Sequence, residues 1–324
     1  MKNCLTKILI SVSRIFFTTL LVGGLVLGAG SVNPATAVET SFLYTLSNFS
    51  GPVPYNWTSI FADRAKDEIY VVDSRKIDIR IFDKNGMEIY RFGDDGSLGT
   101  VIDLVVDKDG NIIVLSKAGS KSEIILCNYR GEPLSRLALR NLPKEFLNFV
   151  PDRIAYRAGI LYLLDSKDMR LAVTDENGFF QKGYDIAALL EMGEKKRDDT
   201  DIGGFSVDHE GNMLFTIPVL FSVYILSPDG KLKSFGEPGG APGKFNIVSG
   251  IVADEKGNYY VSDRLKSAVI IFDKNFNFLK EFGYRGLRPD NLIGPKDLAL
   301  DSQGRLYVSQ LRSRGVSVFE ITYP

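Results

Sequence analysis

The stretch SGIVADEKGNYYVSDRLKSAVIIFDKNFNFLKEFG, residues Ser249–Gly283, contains four short apolar segments separated by turns. Its first turn, DEKG, begins with an aspartate, which can bond the backbone of its own turn, and ends with a glycine, which accepts positive φ. NYYVSD follows and is rich in the aromatic and β-branched residues typical of strands. AVIIFD and FLKEFG supply two more strands. The stretch therefore predicts four antiparallel strands joined by tight turns, which make one blade of a β-propeller.

The same pattern recurs along the chain. Aligning the copies on an extended stretch of the form Y/L-V-x-Asp/Ser brings one anchor residue of each copy into register, and successive anchors are 43, 49, 52, 46 and 47 residues apart. The six anchors are Asp73, Ser116, Asp165, Ile217, Asp263 and Gln310. A recurrence of this length indicates a repeat array in which each copy is one structural unit.

The two ends of the pattern complement each other. The last copy, Pro295–Tyr323, has only three strands, whereas Ser41–Pro52 has no copy before it and resembles a fourth strand with its exit loop. We predict that this segment completes the last blade, because closure removes an exposed sheet edge. The expected fold class is all-β: a six-bladed β-propeller of four-stranded antiparallel blades, its last blade closed by the N-terminal strand.

The first 37 residues have the order of a secretory signal peptide: a basic start, an uncharged apolar run from Ile15 to Leu27, and the small residues Ala35-Thr36-Ala37. The apolar run is shorter than the roughly 20 residues needed to cross a bilayer, which favours cleavage near Ala37 over an uncleaved anchor. We therefore expect a signal peptide over 1–37 and a single propeller over 38–324. The mature protein would be periplasmic or secreted into the extracellular space, without stable membrane insertion.

Charge and cysteine content exclude several classes of function. Removal of residues 1–37 leaves 36 basic and 40 acidic residues, and this mildly acidic balance argues against nucleic-acid binding. Cys127 is then the only cysteine, so no internal disulfide is expected, and its apolar neighbours predict a buried, inert thiol. Helical periodicity is limited to about one turn within Asp185–Met192, and the charged stretch Gly193–Asp201 is expected to be a solvated loop.

The pattern apolar–Asp–x-x-Gly–Y-V-x-Asp, followed by I-x-F-D-x-x-G and F-G, resembles the NHL repeat family. FGEPGGAPGKFNIVSGIVADEKGNYYVSD, residues Phe235–Asp263, is especially similar, and the resemblance extends over Tyr44–Phe319. It implies a six-bladed propeller of a secreted bacterial type. It does not imply one activity, because propellers of this kind bind proteins, peptides, sugars or RNA and a few are enzymes.

Metal-dependent catalysis is the alternative function. His209 is the only histidine and is expected to be a structural turn residue, since a zinc site needs three or four nitrogen or sulfur ligands. Calcium prefers six to eight oxygen ligands, and four aspartates lie near the start of a first strand, namely Asp103, Asp152, Asp201 and Asp297. Aspartate before a strand is also common turn chemistry. We therefore expect no cofactor and no metal ligands, and keep a calcium-dependent lactonase- or lyase-like enzyme with a central-channel site as the alternative.

The loops joining the second and third strands should lie on one face, together with those between blades. Five of the six second-to-third loops carry basic residues: Arg75, Lys76, Lys117, Lys121, Lys167, Arg264, Lys266, Arg312 and Arg314. These cations either keep the loops soluble or attract an acidic partner. The fourth blade instead has an apolar loop that includes Val219 and Leu220, which is either a protein anchor or a hairpin buried against the next blade.

Loops between blades add further candidates. Trp57, Tyr284 and Arg285 belong to residue types that are enriched in binding hot spots, although packing between blades is the commoner fate of a lone tryptophan. The sequence thus predicts an exported, non-catalytic binding or scaffold propeller, monomeric, with no catalytic residues. It would engage a protein or an acidic macromolecule of the envelope or extracellular space through this loop face.

Overall fold

The structure, a computed structural model, describes residues 38–55, 58–73, 78–93, 95–119 and 121–324. Strand β1 (Glu39–Thr45) comes first and is followed by a small hairpin of β2 (Ser47–Asn48) and β3 (Gly51–Pro52). The expected signal peptide lies outside the described residues. None of the helices within the described residues is both long and apolar enough to cross a membrane.

The next twelve strands form three sheets of four, each antiparallel and ordered as the chain runs. Blade 1 consists of β4 (Ser59–Asp63), β5 (Glu68–Asp73), β6 (Asp78–Phe82) and β7 (Glu88–Phe92). Blade 2 consists of β8 (Thr100–Val106), β9 (Ile112–Ala118), β10 (Lys121–Cys127) and β11 (Pro133–Leu137). Blade 3 follows a short 3-10 helix at Lys144–Phe146 and consists of β12 (Arg153–Arg157), β13 (Ile160–Asp165), β14 (Arg170–Asp175) and β15 (Phe180–Asp185).

The remaining strands complete the propeller. Blade 4 consists of β16 (Phe205–Val207), β17 (Met213–Ile217), β18 (Ser222–Leu226) and β19 (Leu232–Phe235). Blade 5 consists of β20 (Val248–Ala253), β21 (Tyr259–Asp263), β22 (Ala268–Phe272) and β23 (Phe278–Gly283). Blade 6 has β24 (Leu298–Leu300), β25 (Leu306–Ser309) and β26 (Val316–Thr322), and its fourth strand is β1.

The predicted closure is confirmed. β1 pairs antiparallel with β26, from Glu39 opposite Thr322 to Thr45 opposite Ser317. The first strands of the six blades contact one another in a ring, and β24 of the last blade contacts β4 of the first. The described residues therefore form an all-β six-bladed propeller, as the sequence predicts.

Apolar side chains fill the space between neighbouring blades. The described residues form six buried clusters, and each draws its members from two adjacent blades. Between blades 4 and 5, for example, Leu214 and Val223 pack with Phe245, Val261 and Ile270, all with no measurable exposure. Burying such side chains contributes about 1.5–3 kcal/mol each, so the interfaces between blades supply the main driving force for assembly.

The Asp-x-x-Gly turns work as the sequence suggests. In the turn between β8 and β9, Asp107 Oδ1 accepts hydrogen bonds from the backbone N–H groups of Asp109 and Asn111, at 2.9 and 2.8 Å. The same arrangement recurs in the other blades at Asp83, Asp175, Asp208, Asp254, Asp273 and Asp301. Each turn thus satisfies its own backbone donors locally.

The anchor residues have a different structural role, which is to tie loops together. Asp263 is fully buried, and its carboxylate accepts four backbone N–H groups. Two belong to the segment leading into blade 5 (Asn246 at 2.6 Å and Ile247 at 3.2 Å), and two to the loop after β21 (Leu265 at 3.0 Å and Lys266 at 2.9 Å).

Two other anchors act in the same way. Asp165 accepts the N–H groups of Val150 and Asp168, and Gln310 Oε1 accepts that of Ile293. The acidic or amide side chain of the anchor therefore accepts hydrogen bonds from backbone N–H groups that have no partner within the irregular loop segments.

Blade 4 departs from this arrangement because its anchor, Ile217, has no polar side chain. The loop after it is a 3-10 turn, Pro218–Leu220, and Phe221 takes a left-handed conformation with φ 53°. The turn closes through its own hydrogen bond from Phe221 N to Pro218 O. A local turn thus replaces the hydrogen bonds of an anchor carboxylate.

Two short helices lie between blades 3 and 4. Helix α1 (Ile186–Leu189) matches the predicted single turn and is capped by Asp185, whose carboxylate accepts the N–H of Ala188. The expectation of a loop over Gly193–Asp201 is wrong, because Glu194–Asp198 form helix α2. Arg197 of α2 donates to the backbone carbonyl of Asp168 and to Asp185 Oδ2, so the helix is held against blade 3.

Replacement of the anchor in blade 5 should destabilise the protein far more than replacement of a turn aspartate. Asp263→Ala leaves four backbone donors without an acceptor in a buried site, and we expect a loss of about 3 kcal/mol in the free energy of unfolding. Asp273→Ala, at a solvated turn of the same blade, should cost about 1 kcal/mol. Urea denaturation of both variants measures the difference, and equal losses would show that the anchor has no special role.

Candidate functional site

The alternation of strand direction divides the connections between two faces. Loops between second and third strands lie on one end of the propeller with the segments that connect blades, and we call this end the loop face. The Asp-x-x-Gly turns lie on the opposite end, the turn face. The first strands run from the loop face to the turn face and surround a central channel.

The predicted binding residues are not equivalent on this face. Trp57, Arg75 and Lys76 lie outside the described residues. Lys266 does not present a free charge, because its ammonium forms an ion pair with Glu281 at 2.7 Å and its side chain is only 6% exposed. Arg314 is used structurally, since it donates to the backbone carbonyls of Arg288 and Asn291.

Other predicted residues are exposed and lie close together. Arg314 joins the loop after β25 to the segment between blades 5 and 6, and Ser267 Oγ accepts the N–H of Gly294 from the same segment. The exposed residues along this continuous strip, which we call the blade 5–6 patch, are Leu265, Tyr284, Arg285, Leu287, Arg288 and Arg312. Leu287 is 91% and Leu265 66% exposed. Leu265 and Leu287 were not singled out in the sequence, because single leucines in loops carry no pattern.

In the apolar loop of blade 4, one side chain is exposed and another is packed against the blades. Val219 is 54% exposed, whereas Leu220 is partly buried and packs on the cluster between blades 3 and 4. Ile217 is fully buried. Of these three residues, only Val219 exposes enough apolar surface to contact a partner.

The central channel contains a cavity of about 420 Å³ lined by the first strands of all six blades. Half-buried apolar residues line it, including Phe61, Ile102, Phe205 and Val252. Charged residues line both ends of the cavity. Those at the loop face are Asp103, Arg153, Lys296 and Asp297. Those at the turn face include Asp107, Lys108, Asp208 and Asp254. Cavities of this size are within the range of small-molecule sites, about 300–1,000 Å³.

The two aspartates at the loop-face end join neighbouring blades. Asp103 Oδ1 accepts the hydroxyl of Ser59 from blade 1 at 2.6 Å, and its Oδ2 accepts the N–H of Ile154 from blade 3 at 3.0 Å. Asp297 Oδ2 accepts the N–H of Ile60 at 2.9 Å, which links blade 6 to blade 1. Burial in the channel raises the pKa of Asp103 to about 6 and also raises that of Asp297.

Two cations at the same end were missed in the sequence. Arg153 is paired with Asp152 at 3.3 Å. Burial lowers the pKa of Lys296, and the positive charge of Arg153 lowers it further. Arg153 and Lys296 are adjacent in sequence to Asp152 and Asp297, and this adjacency could have identified them as channel residues.

The four aspartates considered for the calcium alternative do not form a group of metal ligands. Among the described residues, no group of three or more His, Cys, Asp or Glu side chains could hold a metal ion. Asp152 accepts hydrogen bonds from the N–H and hydroxyl of Ser166, and Asp201 is exposed. His209 lies in a turn, as predicted, with Glu210 at 3.9 Å. Cys127 is buried, and burial raises the pKa of its thiol to about 11.

Several solved structures share this fold. A protein of unknown function from Bacteroides thetaiotaomicron has a TM-score of 0.64 at 16% identity over 88% of this chain and 76% of its own. Virginiamycin B lyase from Staphylococcus aureus has 0.58 at 11% identity, over 88% and 99%. A putative gluconolactonase has 0.57 at 16% identity, over 89% and 93%. At these identities the likeness shows the propeller fold alone. Neither a protein-family model nor a curated protein matches the sequence.

The raised pKa of Asp103 predicts a specific dependence of stability on pH. Because its pKa is about 6 in the folded protein against 3.8 as the ordinary value, ionisation is disfavoured by folding. The contribution of Asp103 to the free energy of unfolding is fully present below pH 4 and is lost as the pH rises through 6. This loss amounts to about 3 kcal/mol. Asp103→Asn should abolish this term.

The measurement is the difference in free energy of unfolding between the native protein and Asp103→Asn, taken from urea denaturation at pH 4 and at pH 7. We expect the native protein to lose about 3 kcal/mol relative to the variant over this range. A change of the opposite sign would mean that hydrogen bonds to the carboxylate outweigh its burial.

Proposed function

We propose that the protein is an exported, non-catalytic NHL-type propeller that binds an acidic macromolecule of the envelope or extracellular space through its loop face. The observation that carries the proposal is the blade 5–6 patch, where loops linked by hydrogen bonds carry both exposed arginines and exposed apolar side chains. Arg285 and Arg312 are exposed there, as are Tyr284 and Leu287.

The composition of the patch supports this partner chemistry. Tyrosine and arginine are enriched at binding hot spots, and leucine supplies apolar area that is removed from water on association. Arg288 is already paired with Asp290 at 2.9 Å, in a surface ion pair of small stabilising value. The patch would therefore suit a partner with carboxylates beside apolar groups.

The turn face has a different character. Its turns begin with aspartates, so acidic groups recur around that end of the propeller. An acidic partner would be repelled there and attracted at the loop face, and such asymmetry fixes orientation more than it adds affinity.

Catalysis in the channel is the alternative function, since the propellers with this fold include a lyase and a putative gluconolactonase. Turnover of a lactone by the purified protein, abolished by substitution of channel residues and unaffected by substitution of the blade 5–6 patch, would favour this alternative.

Reversal of one patch charge should weaken binding to an acidic polymer. The probe is immobilised poly-L-glutamate, measured by biolayer interferometry at several salt concentrations. Arg285→Glu should reduce affinity by about 3- to 10-fold at low salt, because exposed charge pairs contribute a few tenths to 1 kcal/mol and reversal adds repulsion. The effect should shrink as salt screens the charges.

The matched control is Lys274→Glu, which makes the same change of charge at an exposed turn of blade 5 on the opposite face. It should change affinity by less than about 2-fold. Equal losses in both variants would mean that only the net charge of the protein matters, and the proposed patch would be wrong.

Export has its own test. Intact-mass and N-terminal analysis of the protein recovered from the producing cells should show a mature chain that begins near Val38, in the periplasmic or culture fraction. Recovery of a chain that retains residues 1–37 would contradict the proposed cleavage.

A further inference from the structure

Lys296 is a cation that lines the central channel. Among the described residues, its ammonium has neither a hydrogen-bond partner nor a carboxylate within ion-pair distance, although its backbone carbonyl accepts hydrogen bonds from Gly250 and Ser262. Burial lowers the pKa of Lys296 and the positive charge of Arg153 lowers it further, whereas the carboxylates of Asp297 and Asp103 raise it but do not offset the burial. An ammonium carries three donors, and all three remain available here.

The nearby carboxylates are already engaged elsewhere. Asp103 accepts Ser59, Leu104 and Ile154, and Asp297 accepts Ile60 and Leu298. Asp152 accepts Ser166 and pairs with Arg153. These acidic groups hold neighbouring blades and loops together, so they do not take up the donors of Lys296. A bound anion would supply the acceptor that this part of the channel lacks.

Between Lys296 and the charged turn residues at the opposite end, the channel has an apolar section. Half-buried side chains of four blades line it, represented by Phe61, Ile102, Phe205 and Val252, and the cavity measures about 420 Å³. An inorganic anion would use only the charged end at the loop face. A molecule with an anionic head and a short apolar body would use both parts, as small-molecule sites do when a few polar groups orient a ligand in an apolar cavity.

We infer that the central channel binds a small organic carboxylate, with its carboxylate at Lys296 and its apolar portion along the inner strands. This site is separate from the blade 5–6 patch and takes a small molecule, so the inference does not depend on the proposed function.

The test compares octanoate with 1-octanol, which share an apolar body but differ in the carboxylate. Isothermal titration calorimetry on the full mature protein should show that octanoate binds about 10-fold or more tightly than octanol, because a charge-assisted hydrogen bond in a partly dry site is stronger than a neutral one. Lys296→Met should remove this preference, and Lys296→Arg should retain most of it. Inorganic phosphate should bind far more weakly than octanoate.

Lys274→Met on the turn face is the matched control and should leave the preference unchanged. Arg285→Glu should also leave it unchanged, which keeps the result distinct from that of the macromolecular site. Equal affinity for octanoate and octanol would overturn the inference, as would absence of octanoate binding or a preference that survives in Lys296→Met. Phosphate binding as tight as that of octanoate would show an inorganic-anion site and overturn the assignment of an organic ligand.

Discussion

The six inner strands of the propeller close into a ring, and this closure governs how the blades pack. Neighbouring first strands approach so closely that side chains cannot be accommodated between them at several points. A Cβ added to Gly204 would collide with the carbonyl of Ser249, and one added to Gly250 would collide with that of Lys296. Gly250 N instead donates to Lys296 O at 2.6 Å. Glycine is required there because the backbones of two blades touch.

Side chains also join neighbouring blades. Asp103 connects blades 1, 2 and 3, and Asp297 connects blade 6 to blade 1. In blades 4 and 5 a hydroxyl of the second strand does related work, since Thr216 Oγ1 donates to Ser249 O at 2.5 Å and Ser262 Oγ donates to Lys296 O at 2.9 Å. Most of the polar groups at the loop-face end of the channel therefore form hydrogen bonds that join neighbouring blades. Lys296 stands out because it lines the channel without taking part through its side chain.

On the loop face, too, some polar side chains form structural contacts while others remain exposed. Anchor carboxylates and amides satisfy the backbone of the loops, and Lys266 and Arg314 hold loop segments in place through an ion pair and carbonyl contacts. Once loops are fixed in this way, Tyr284 and Leu287 stay in solvent without collapsing onto the blades. A rigid scaffold with exposed loop side chains is the arrangement on which binding surfaces are commonly built.

The six blades, the Asp-x-x-Gly turns and the completion of the last blade by β1 were all predictable from the sequence, because they follow from local turn chemistry and a period that repeats along the chain. It did not reveal α2, since the helical periodicity of five charged residues is too weak to read. It also treated Lys266 and Arg285 alike as loop cations, although Glu281, fifteen residues from Lys266, buries and pairs only the first. The folded structure was needed to tell which cations form ion pairs and which do not, both on the loop face and at Lys296 in the channel. Ion pairing and desolvation depend on neighbours that ring closure brings together, and those neighbours lie on other blades or on distant parts of the same blade.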